Sequence, residues 1–191
     1  MNINILIVGV GGQGTLLASK ILGNYAMLIN KDCKLSEVHG MSQRGGSVVT
    51  YVRIGDKVYS PLIDKKCADV VLAFEELEAL RWADYVKDGG TVIVNRQKLY
   101  PMPVITGKSE YPDNIYERLG SHNAEIHGID ALGIATKLGN LRTVNVAVLG
   151  FCAALLKFDA ETFKEAVRKS VSAATVEVNI KAFEEGFNVS K

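Results

Sequence analysis

The sequence predicts an α/β fold: a Rossmann-like, mostly parallel sheet with an antiparallel hairpin insert and a helical C-terminal third. Three observations support this prediction. An apolar run of strand length, Ile3–Val8, leads directly into a glycine loop, residues 9–14, of G-x-G-x-x-G spacing, and a helical pattern follows at once. Further β-branched runs then alternate with helical patterns. Beyond residue 130 only helical spacing is found.

The strands are predicted from apolar or β-branched runs that are bounded by turn residues. In chain order they are Ile3–Val8, Lys34–Val38, Ser47–Ile54, Lys57–Ser60, Asp69–Ala73, Thr91–Asn95 and Ala124–Ile129. Gly55 and Asp56 separate the third run from the fourth, so these two runs are expected to form the antiparallel hairpin.

The helices are predicted where apolar residues recur at spacings of three and four. In chain order they are Gln13–Ile29, a helix around Leu77–Trp82 that is closed by Gly89 and Gly90, Asp113–Leu119, Ala131–Leu138, Thr143–Leu156, a helix capped by Asp159, and Val176–Phe187. Residues 100–112 hold three of the four prolines and are expected to cross the molecule irregularly. The apolar C-terminal helices are expected either to form core or to dock a partner. No linker or repeat divides the chain, so residues 1–191 are expected to form a single domain.

Composition limits the partners and the chemistry. Lysine and arginine number 22 and aspartate and glutamate 21, so the net charge of +1 gives no reason to expect nucleic acid or an anionic membrane as a partner. The longest apolar run, 146–156, is too short to span a bilayer, and no secretory signal pattern is seen, so a cytoplasmic location is expected. Cys33, Cys67 and Cys152 lie far apart and are expected to be reduced, buried thiols. No metal site is expected.

The glycine loop supplies the first candidate cofactor-binding residues. Gly9 is expected to permit the tight turn off the strand, Gly11 to let the backbone approach a phosphate, and Gly14 to let the helix pack close to the sheet. Gly12 and Gln13 complete the set. The helix N-terminus behind the loop offers N–H groups to an anion.

The acidic residue that dinucleotide-binding proteins place about 20 positions later, at the end of the second strand, is displaced here. Asp32 is at about the right distance but precedes the second strand, and Glu37 is near its end but comes late. The loop therefore fits either a phosphate site or a turn without a nucleotide, and this mismatch weakens the assignment to NAD.

A second polar loop, residues 37–47, supplies the other candidate binding residues. They are His39, Ser42, Gln43, Arg44, Gly45 and Gly46. The loop follows the second strand and is expected near the carboxyl edge of the sheet, where open α/β folds bind ligands. A guanidinium there can bind phosphate or carboxylate bidentately.

Three carboxylates, Glu75, Glu76 and Glu78, follow a predicted strand. Glu75 is expected at the end of the strand, and the other two are expected to be the solvated start of a helix. No catalytic residue is assigned from the sequence.

Several stretches together resemble the small subunit of indolepyruvate:ferredoxin oxidoreductases, a relative of the gamma subunit of pyruvate and other 2-oxoacid:ferredoxin oxidoreductases. The most specific stretch is Ser36–Ser47. The other matching stretches are residues 9–14 with 17–20, Tyr59–Ile63, Ala68–Asp69, Ala73–Glu75, Gly89–Asn95, Glu177–Asn179 and Ala182–Phe183.

The resemblance implies a reaction of anaerobic metabolism in which a 2-oxo acid, coenzyme A and oxidised ferredoxin give acyl-CoA, carbon dioxide and reduced ferredoxin. Arylpyruvates such as indolepyruvate would be the substrates. The resemblance further implies that thiamine diphosphate and iron–sulfur clusters sit on a large catalytic subunit, in a heterodimer or heterotetramer. It implies that ferredoxin meets the complex, that this chain holds no cofactor firmly, and that its loops contact coenzyme A.

Two alternatives stay open at the level of sequence. One is an independent NAD(P)-dependent oxidoreductase, for which 191 residues leave little room for a substrate domain. The other is a non-catalytic nucleotide-binding module that needs no large partner.

Overall fold

The computed structural model describes residues 2–38 and 46–189. All six strands belong to one sheet with the order β2-β3-β1-β4-β5-β6. The strands are β1 (Ile3–Val10), β2 (Asp32–Glu37), β3 (Ser47–Gly55), β4 (Ala68–Ala73), β5 (Val86–Asn95) and β6 (Ala124–Ile129).

The predicted fold class is confirmed. The pairs β1–β4, β4–β5 and β5–β6 are parallel, whereas β3 runs antiparallel to both β1 and β2. Because β3 lies between β1 and β2 and is antiparallel to both, every strand except β3 runs in the same direction. The end of the sheet where these five strands finish is called here the carboxyl end. The opposite end is called the amino end.

The predicted partner of β3 is wrong. Residues 57–60 form no strand, and the antiparallel hairpin consists of β2 and β3 instead. Both edges of β3 are already paired, so no strand edge is left for this segment. The Val58 amide instead donates to the Asp32 carboxylate at 2.9 Å.

Most predicted helices lie where the sequence places them. They are α1 (Thr15–Leu28), α2 (Glu76–Arg81), α3 (Met102–Ile105), α4 (Ile115–Gly120), α5 (Ala131–Lys137), α6 (Val144–Leu155), α7 (Ala160–Ser170) and α8 (Val176–Asn188). Asp159 caps α7 as predicted, because its carboxylate accepts from the Thr162 amide at 2.8 Å. None of the helices in the described part of the chain is long and apolar enough to cross a membrane.

The predicted role of Gly89 and Gly90 as a helix stop is wrong. A short 3₁₀ turn follows α2, and the two glycines lie inside β5, whose pairing with β4 is irregular at its start. Gly89 has a φ of 70°, so it supplies the left-handed conformation at this irregularity.

Apolar residues pack on both faces of the sheet. One cluster joins β1 and β4 to helices α1, α6, α7 and α8, and the other lies beneath α2 and α4. Helix α6 is buried along most of its length, so it is core. Gly150 lies against the Phe183 carbonyl and Gly186 against the Ala147 carbonyl, so a Cβ at either glycine would overlap the backbone of the other helix.

Candidate functional site

Three cavities meet at the glycine loop on the carboxyl end of the sheet. The first, of about 270 Å³, lies between the loop and the ends of β2 and β3. The second, of about 350 Å³, lies over β4 beside Gly46 and α2. The third, of about 500 Å³, lies between the loop and the start of α6. This is where open α/β sheets bind ligands.

The glycine loop makes its turn later than the sequence predicts. Gly9 lies inside β1, and its lack of a side chain leaves room for the Gln13 side chain and Phe74. The left-handed residues are Gly12, with a φ of 100°, and Gly14, with a φ of 80°. The expected turn at Gly9 is therefore wrong, because Gly9 still pairs with Val48 of β3 and the chain turns only at Gly12 and Gly14.

Gly14 makes its close contact with a helix rather than with the sheet. It caps α1, and a Cβ at this position would overlap the Asn145 amide of α6. The Asn145 side chain donates to the Gly14 carbonyl at 3.0 Å. The start of α1 is therefore fixed against the start of α6, and the third cavity lies beside this junction.

The Gln13 side chain joins the end of β1 to the residue that follows β4. Its carbonyl oxygen accepts from the Val10 amide at 2.7 Å, and its Nε2 donates to the Phe74 carbonyl at 2.9 Å. Gln97 Oε1 lies 3.3 Å from the same Nε2. Asn95 extends the network, donating to the Phe74 carbonyl at 3.2 Å and accepting from the Ala131 amide at 3.1 Å. These amides join the carboxyl ends of β1, β4 and β5.

The start of α1 retains donors for an anion. Ala18 is the first residue of α1 seen to bond back within the helix, to the Gly14 carbonyl, so the amides of the first turn are not used in the helix. The Gly11 amide, by contrast, donates to the Gly46 carbonyl at 2.9 Å. This amide is already bonded to the second loop. A phosphate would therefore contact the turn that follows Gly11 rather than the Gly11 amide.

Glu37 lies on the first cavity, opposite this helix start. Ser19 of α1 donates to its carboxylate at 2.6 Å, and Glu37 lines the cavity together with Gly11, Gly12 and Gly14 of the loop. Although Glu37 comes late in the sequence, it ends β2 at the carboxyl end of the sheet and lines the same cavity as the loop. A carboxylate there opposes a second anion but can accept from a hydroxyl.

Two buried carboxylates form the floor of the second cavity. The side chain of Glu75 caps α2 by accepting from the Glu78 amide at 2.9 Å. It also accepts from the Leu99 amide at 3.1 Å and the Tyr111 hydroxyl at 2.5 Å. Burial of the Tyr111 phenol beside Glu75 raises the pKa of that phenol. Glu75 is therefore fully engaged in fixing the segment after β5 over the sheet.

Glu78 is the second of these carboxylates. It accepts from the Ser47 hydroxyl and from the Arg81 guanidinium, each at 2.5 Å, and its side chain is 1% exposed. Burial raises the pKa of the Glu78 carboxyl, while the bonds from Ser47 and Arg81 act against that rise.

The predicted solvation of Glu76 and Glu78 is wrong. All three carboxylates of this run are buried, because residues 99–116 fold back over α2. Glu76 lies beside Tyr116, whose hydroxyl is 3.2 Å from its carboxylate. Acidic residues in the first turn of a helix are stabilised by the positive end of the helix dipole. Their position in the sequence therefore does not indicate whether other residues cover them.

The third cavity is lined by apolar and amide side chains and by Arg142. Its other lining groups include Gln97, Leu132, Leu141 and Asn145. The Arg142 guanidinium makes no ion pair with any residue in the described ranges. It is thus available to an anion that enters the cavity.

The structure brings Gly11, Gly12, Gln13, Gly14 and Gly46 of the predicted site together. The other predicted residues of the second loop, His39, Ser42, Gln43, Arg44 and Gly45, lie outside the described residues.

Sequence reasoning missed Gln97 and Arg142, which line the third cavity, and Asn95, which bonds to Gln97. It named Glu75 and Glu78 but did not expect them to line a cavity. Asn95 and Gln97 carry a signal that could find them, since polar residues directly after a buried strand lie at the carboxyl end of the sheet.

Over residues 2–38 and 46–189, no group of three histidine, cysteine or carboxylate side chains is placed to hold a metal ion. The cysteines differ in setting: Cys152 is buried, Cys33 is half-buried, and Cys67 is exposed, contrary to the expectation of three buried thiols. Burial raises the pKa of the Cys152 thiol to about 12 and that of Cys33 to about 11. Both therefore stay protonated at neutral pH.

The fold is an open α/β domain of Rossmann type with three cavities at the carboxyl end of its sheet. Residues 4–189 match the family model described as pyruvate ferredoxin/flavodoxin oxidoreductase. The chain belongs to this family.

Curated relatives agree with this assignment. The chain is 42% identical over 195 residues to indolepyruvate oxidoreductase subunit IorB of Pyrococcus horikoshii, covering 98% of this chain and 96% of the relative. It is 40% identical to the IorB subunit of Archaeoglobus fulgidus, covering 98% and 95%. The resemblance predicted from the sequence is therefore confirmed.

Solved structures share the fold. The gamma subunit of a keto/oxoacid ferredoxin oxidoreductase from Geobacter sulfurreducens has a TM-score of 0.73 at 25% identity, over 97% of this chain and 96% of that chain. A 2-oxoglutarate:ferredoxin oxidoreductase from Magnetococcus marinus has a TM-score of 0.76 at 18% identity. This chain covers 31% of that longer chain and is itself covered to 99%.

Proposed function

We propose that this chain is the small subunit of a cytoplasmic enzyme that oxidatively decarboxylates arylpyruvates, such as indolepyruvate, to aryl-acetyl-CoA and reduces ferredoxin. The observation that carries the proposal is the 42% identity to an IorB subunit across nearly the full length of both chains. A fold match alone would not support a substrate class. As in the sequence-based expectation, residues 1–191 act as a single gamma-type domain.

The proposal assigns thiamine diphosphate and the iron–sulfur clusters to a large partner. A cubic cluster takes four thiolates, and this chain has three cysteines in three different settings. The chain is accordingly expected to be inactive alone and to act in a heterodimer or heterotetramer, with ferredoxin meeting the assembled complex.

The proposal includes a contact between the carboxyl end of this chain and coenzyme A. When bound, coenzyme A supplies the thiol that accepts the acyl group. The amides at the start of α1 and the Arg142 guanidinium are suited to phosphate groups, and the apolar side chains of the third cavity are suited to its organic portion. Glu37 makes the first cavity the poorer place for a phosphate.

The experiment is reconstitution from separately purified chains. The large partner is identified by its bound thiamine diphosphate and clusters, and reduction of ferredoxin is followed with indolepyruvate and coenzyme A. The proposal expects activity only when both chains are present, and faster turnover with indolepyruvate than with pyruvate or 2-oxoisovalerate. Full activity of either chain alone, or a preference for pyruvate, would contradict it.

A nucleotide-binding module is a second candidate, because Glu37 shares the first cavity with the glycine loop. That arrangement can hold a ribose hydroxyl. The cavity of about 270 Å³ is at the small end of ligand sites, so its size matches a mononucleotide better than a whole dinucleotide. Calorimetric titration with AMP, NAD and coenzyme A separates the candidates, since tight binding of AMP or NAD without a partner favours the module.

A further inference from the structure

A further cavity, of about 440 Å³, lies among the helices that cover one face of the sheet. It is called here the helix cavity, and it shares Leu17 and Arg142 with the third cavity. Its other polar lining residues come from the segment before α6, the end of α7 and the start of α8. They are Asn140, Thr143, Ser170, Ser172, Thr175 and Asn179.

The lining of the helix cavity consists mostly of neutral hydrogen-bonding groups. Four of its side chains carry hydroxyls and two carry amides. Among the described residues that line it, Arg142 is the only charged one, and none is a carboxylate. Hydroxyl, amide and guanidinium groups all donate hydrogen bonds. The lining therefore suits a ligand that accepts hydrogen bonds and carries negative charge.

Arg142 is fixed through its backbone, so its side chain stays available. The Arg142 amide donates to the Asn140 side chain at 3.1 Å, and the Thr143 hydroxyl donates to the Asn140 carbonyl at 2.8 Å. The side chain is exposed, and it makes no ion pair with any residue in the ranges 2–38 and 46–189. A guanidinium can donate two parallel hydrogen bonds to a phosphate group.

A second cation, Lys20 of α1, lies against the wall of the helix cavity. Its ammonium group donates to the Ser170 carbonyl at 3.1 Å, and Asn24 donates to the Ser170 hydroxyl at 2.8 Å. Within the described part of the chain, Lys20 makes no ion pair. Two cations attract a dianion more strongly than a monoanion, so this pair of charges favours a phosphate over a carboxylate.

The acidic residues near the helix cavity do not cancel these charges. Helix α1 and residues 138–143 contain no aspartate or glutamate. Glu177 is the acidic residue closest in sequence to the lining residues, and it lies midway between two that are four apart on α8, so it points away from them. It is 84% exposed and pairs with Lys181 at 2.8 Å. On α7, Glu165 pairs with Arg168 at 3.4 Å.

We propose that the helix cavity binds a phosphate monoester, with Arg142 as its main partner and Lys20 and the Ser172 hydroxyl as further partners. A phosphate monoester carries nearly two negative charges at neutral pH and accepts several hydrogen bonds. The inference rests on the proposed function only for the molecule that carries the monoester. Because the helix cavity adjoins the third cavity at Arg142, that molecule is coenzyme A, and the monoester is its 3′-phosphate.

Calorimetric titration of the full chain tests this site without the large subunit. The probes are inorganic phosphate, coenzyme A and 3′-dephospho-coenzyme A, which differs from coenzyme A only in lacking the monoester. The proposal expects saturable binding of inorganic phosphate. It also expects coenzyme A to bind at least about tenfold more tightly than 3′-dephospho-coenzyme A.

Matched arginine variants locate the site. Arg142→Gln is expected to weaken phosphate binding at least about tenfold and to remove the difference between coenzyme A and its dephosphorylated form. Arg142→Lys keeps the positive charge and is expected to retain part of that difference. Arg168→Gln, at an exposed arginine of α7 that pairs with Glu165, is the control and is expected to bind both forms as the unaltered chain does.

A second pair of variants leaves the charge unchanged. Ser172→Ala removes a hydroxyl that lines the helix cavity, and it is expected to weaken phosphate binding about threefold. Ser121→Ala, at an exposed serine that follows α4, is its control and is expected to have no effect. Circular dichroism checks that each variant is folded.

Two results would overturn the proposal. One is the absence of phosphate binding together with equal binding of coenzyme A and 3′-dephospho-coenzyme A. The other is equal behaviour of Arg142→Gln and Arg168→Gln. Phosphate binding that depends on Arg142, without a preference for coenzyme A, would support the site and assign it to a separate phosphorylated metabolite. Absence of a large partner would defeat the proposed function but would leave these titrations unchanged.

Discussion

The two ends of the sheet use polar residues in opposite ways. The amino end keeps its charges in water as lysine–aspartate pairs between exposed side chains. The carboxyl end buries amides and carboxylates in a connected network around Gln13 and Glu75. Buried polar groups are costly unless each one is bonded, and no buried side-chain nitrogen or oxygen in the described ranges is left without a partner. The difference indicates that bonded, buried polar groups fix the geometry of the carboxyl end, whereas the charges of these amino-end pairs stay hydrated.

The largest expected difference is between two left-handed glycines, one at each end. Gly14→Ala and Gly89→Ala both place a side chain at positive φ, at about 1–2 kcal/mol. Only the new Cβ of Gly14→Ala also meets a neighbour, Asn145, and this overlap adds about 1–3 kcal/mol. Urea denaturation measures both, and equal losses would show that the junction of α1 and α6 adapts freely.

The next difference concerns two amide side chains. Gln13→Ala leaves the Val10 amide without its acceptor and is expected to cost about 1–3 kcal/mol. Asn4→Ala removes bonds to Cys67 and Arg53 at the more exposed amino end, where water replaces them, and is expected to cost less than half as much. The same unfolding measurement compares them, and a larger loss for Asn4→Ala would contradict the contrast.

Ion pairs at the two ends should also differ. Arg81→Ala deprives the buried Glu78 carboxylate of its cation and is expected to cost about 1–2 kcal/mol, since Arg81 itself is partly exposed. Lys65→Ala breaks a pair whose two side chains are both mostly exposed and is expected to leave the unfolding midpoint unchanged. Thermal unfolding at low and high salt checks this, and equal midpoints for the two variants would refute it.

The smallest expected effect is a pH dependence. Burial raises the pKa of Glu78 in the folded chain. The free energy of unfolding therefore decreases as the pH rises from the ordinary glutamate pKa through the folded one. Glu78→Gln lacks this loss, so its stability relative to the unaltered chain should increase with pH over that window. Glu185→Gln, at an exposed position, is the control. A difference that stays flat with pH would contradict the assignment.

Much of the fold could be predicted because local pattern and tertiary structure agree. The β1–loop–α1 unit, β6 and the C-terminal helices follow apolar spacing and turn residues that leave few alternatives. The hairpin could not be assigned correctly, because 47–55 is β-rich on its own and nothing local shows that β1 and β2 already occupy both of its edges.

The site was predictable only in part. The spacing of the glycines predicts the glycine loop, and Gly11, Gln13 and Gly46 do lie together. The burial of Glu75 and Glu78 depends on a distant segment, residues 99–111, folding over them, and no short-range pattern encodes that contact. Arg142 lines the third cavity only because the start of α6 packs against the start of α1.

Hydrogen exchange of the complex with the large subunit, with and without coenzyme A, tests the central claim most directly. The account predicts new protection on addition of coenzyme A at residues 12–17 and 140–143, on the carboxyl end, and none at residues 56–66 or 84–89, on the amino end. Protection confined to the amino end, with the glycine loop exchanging as it does without coenzyme A, would contradict it.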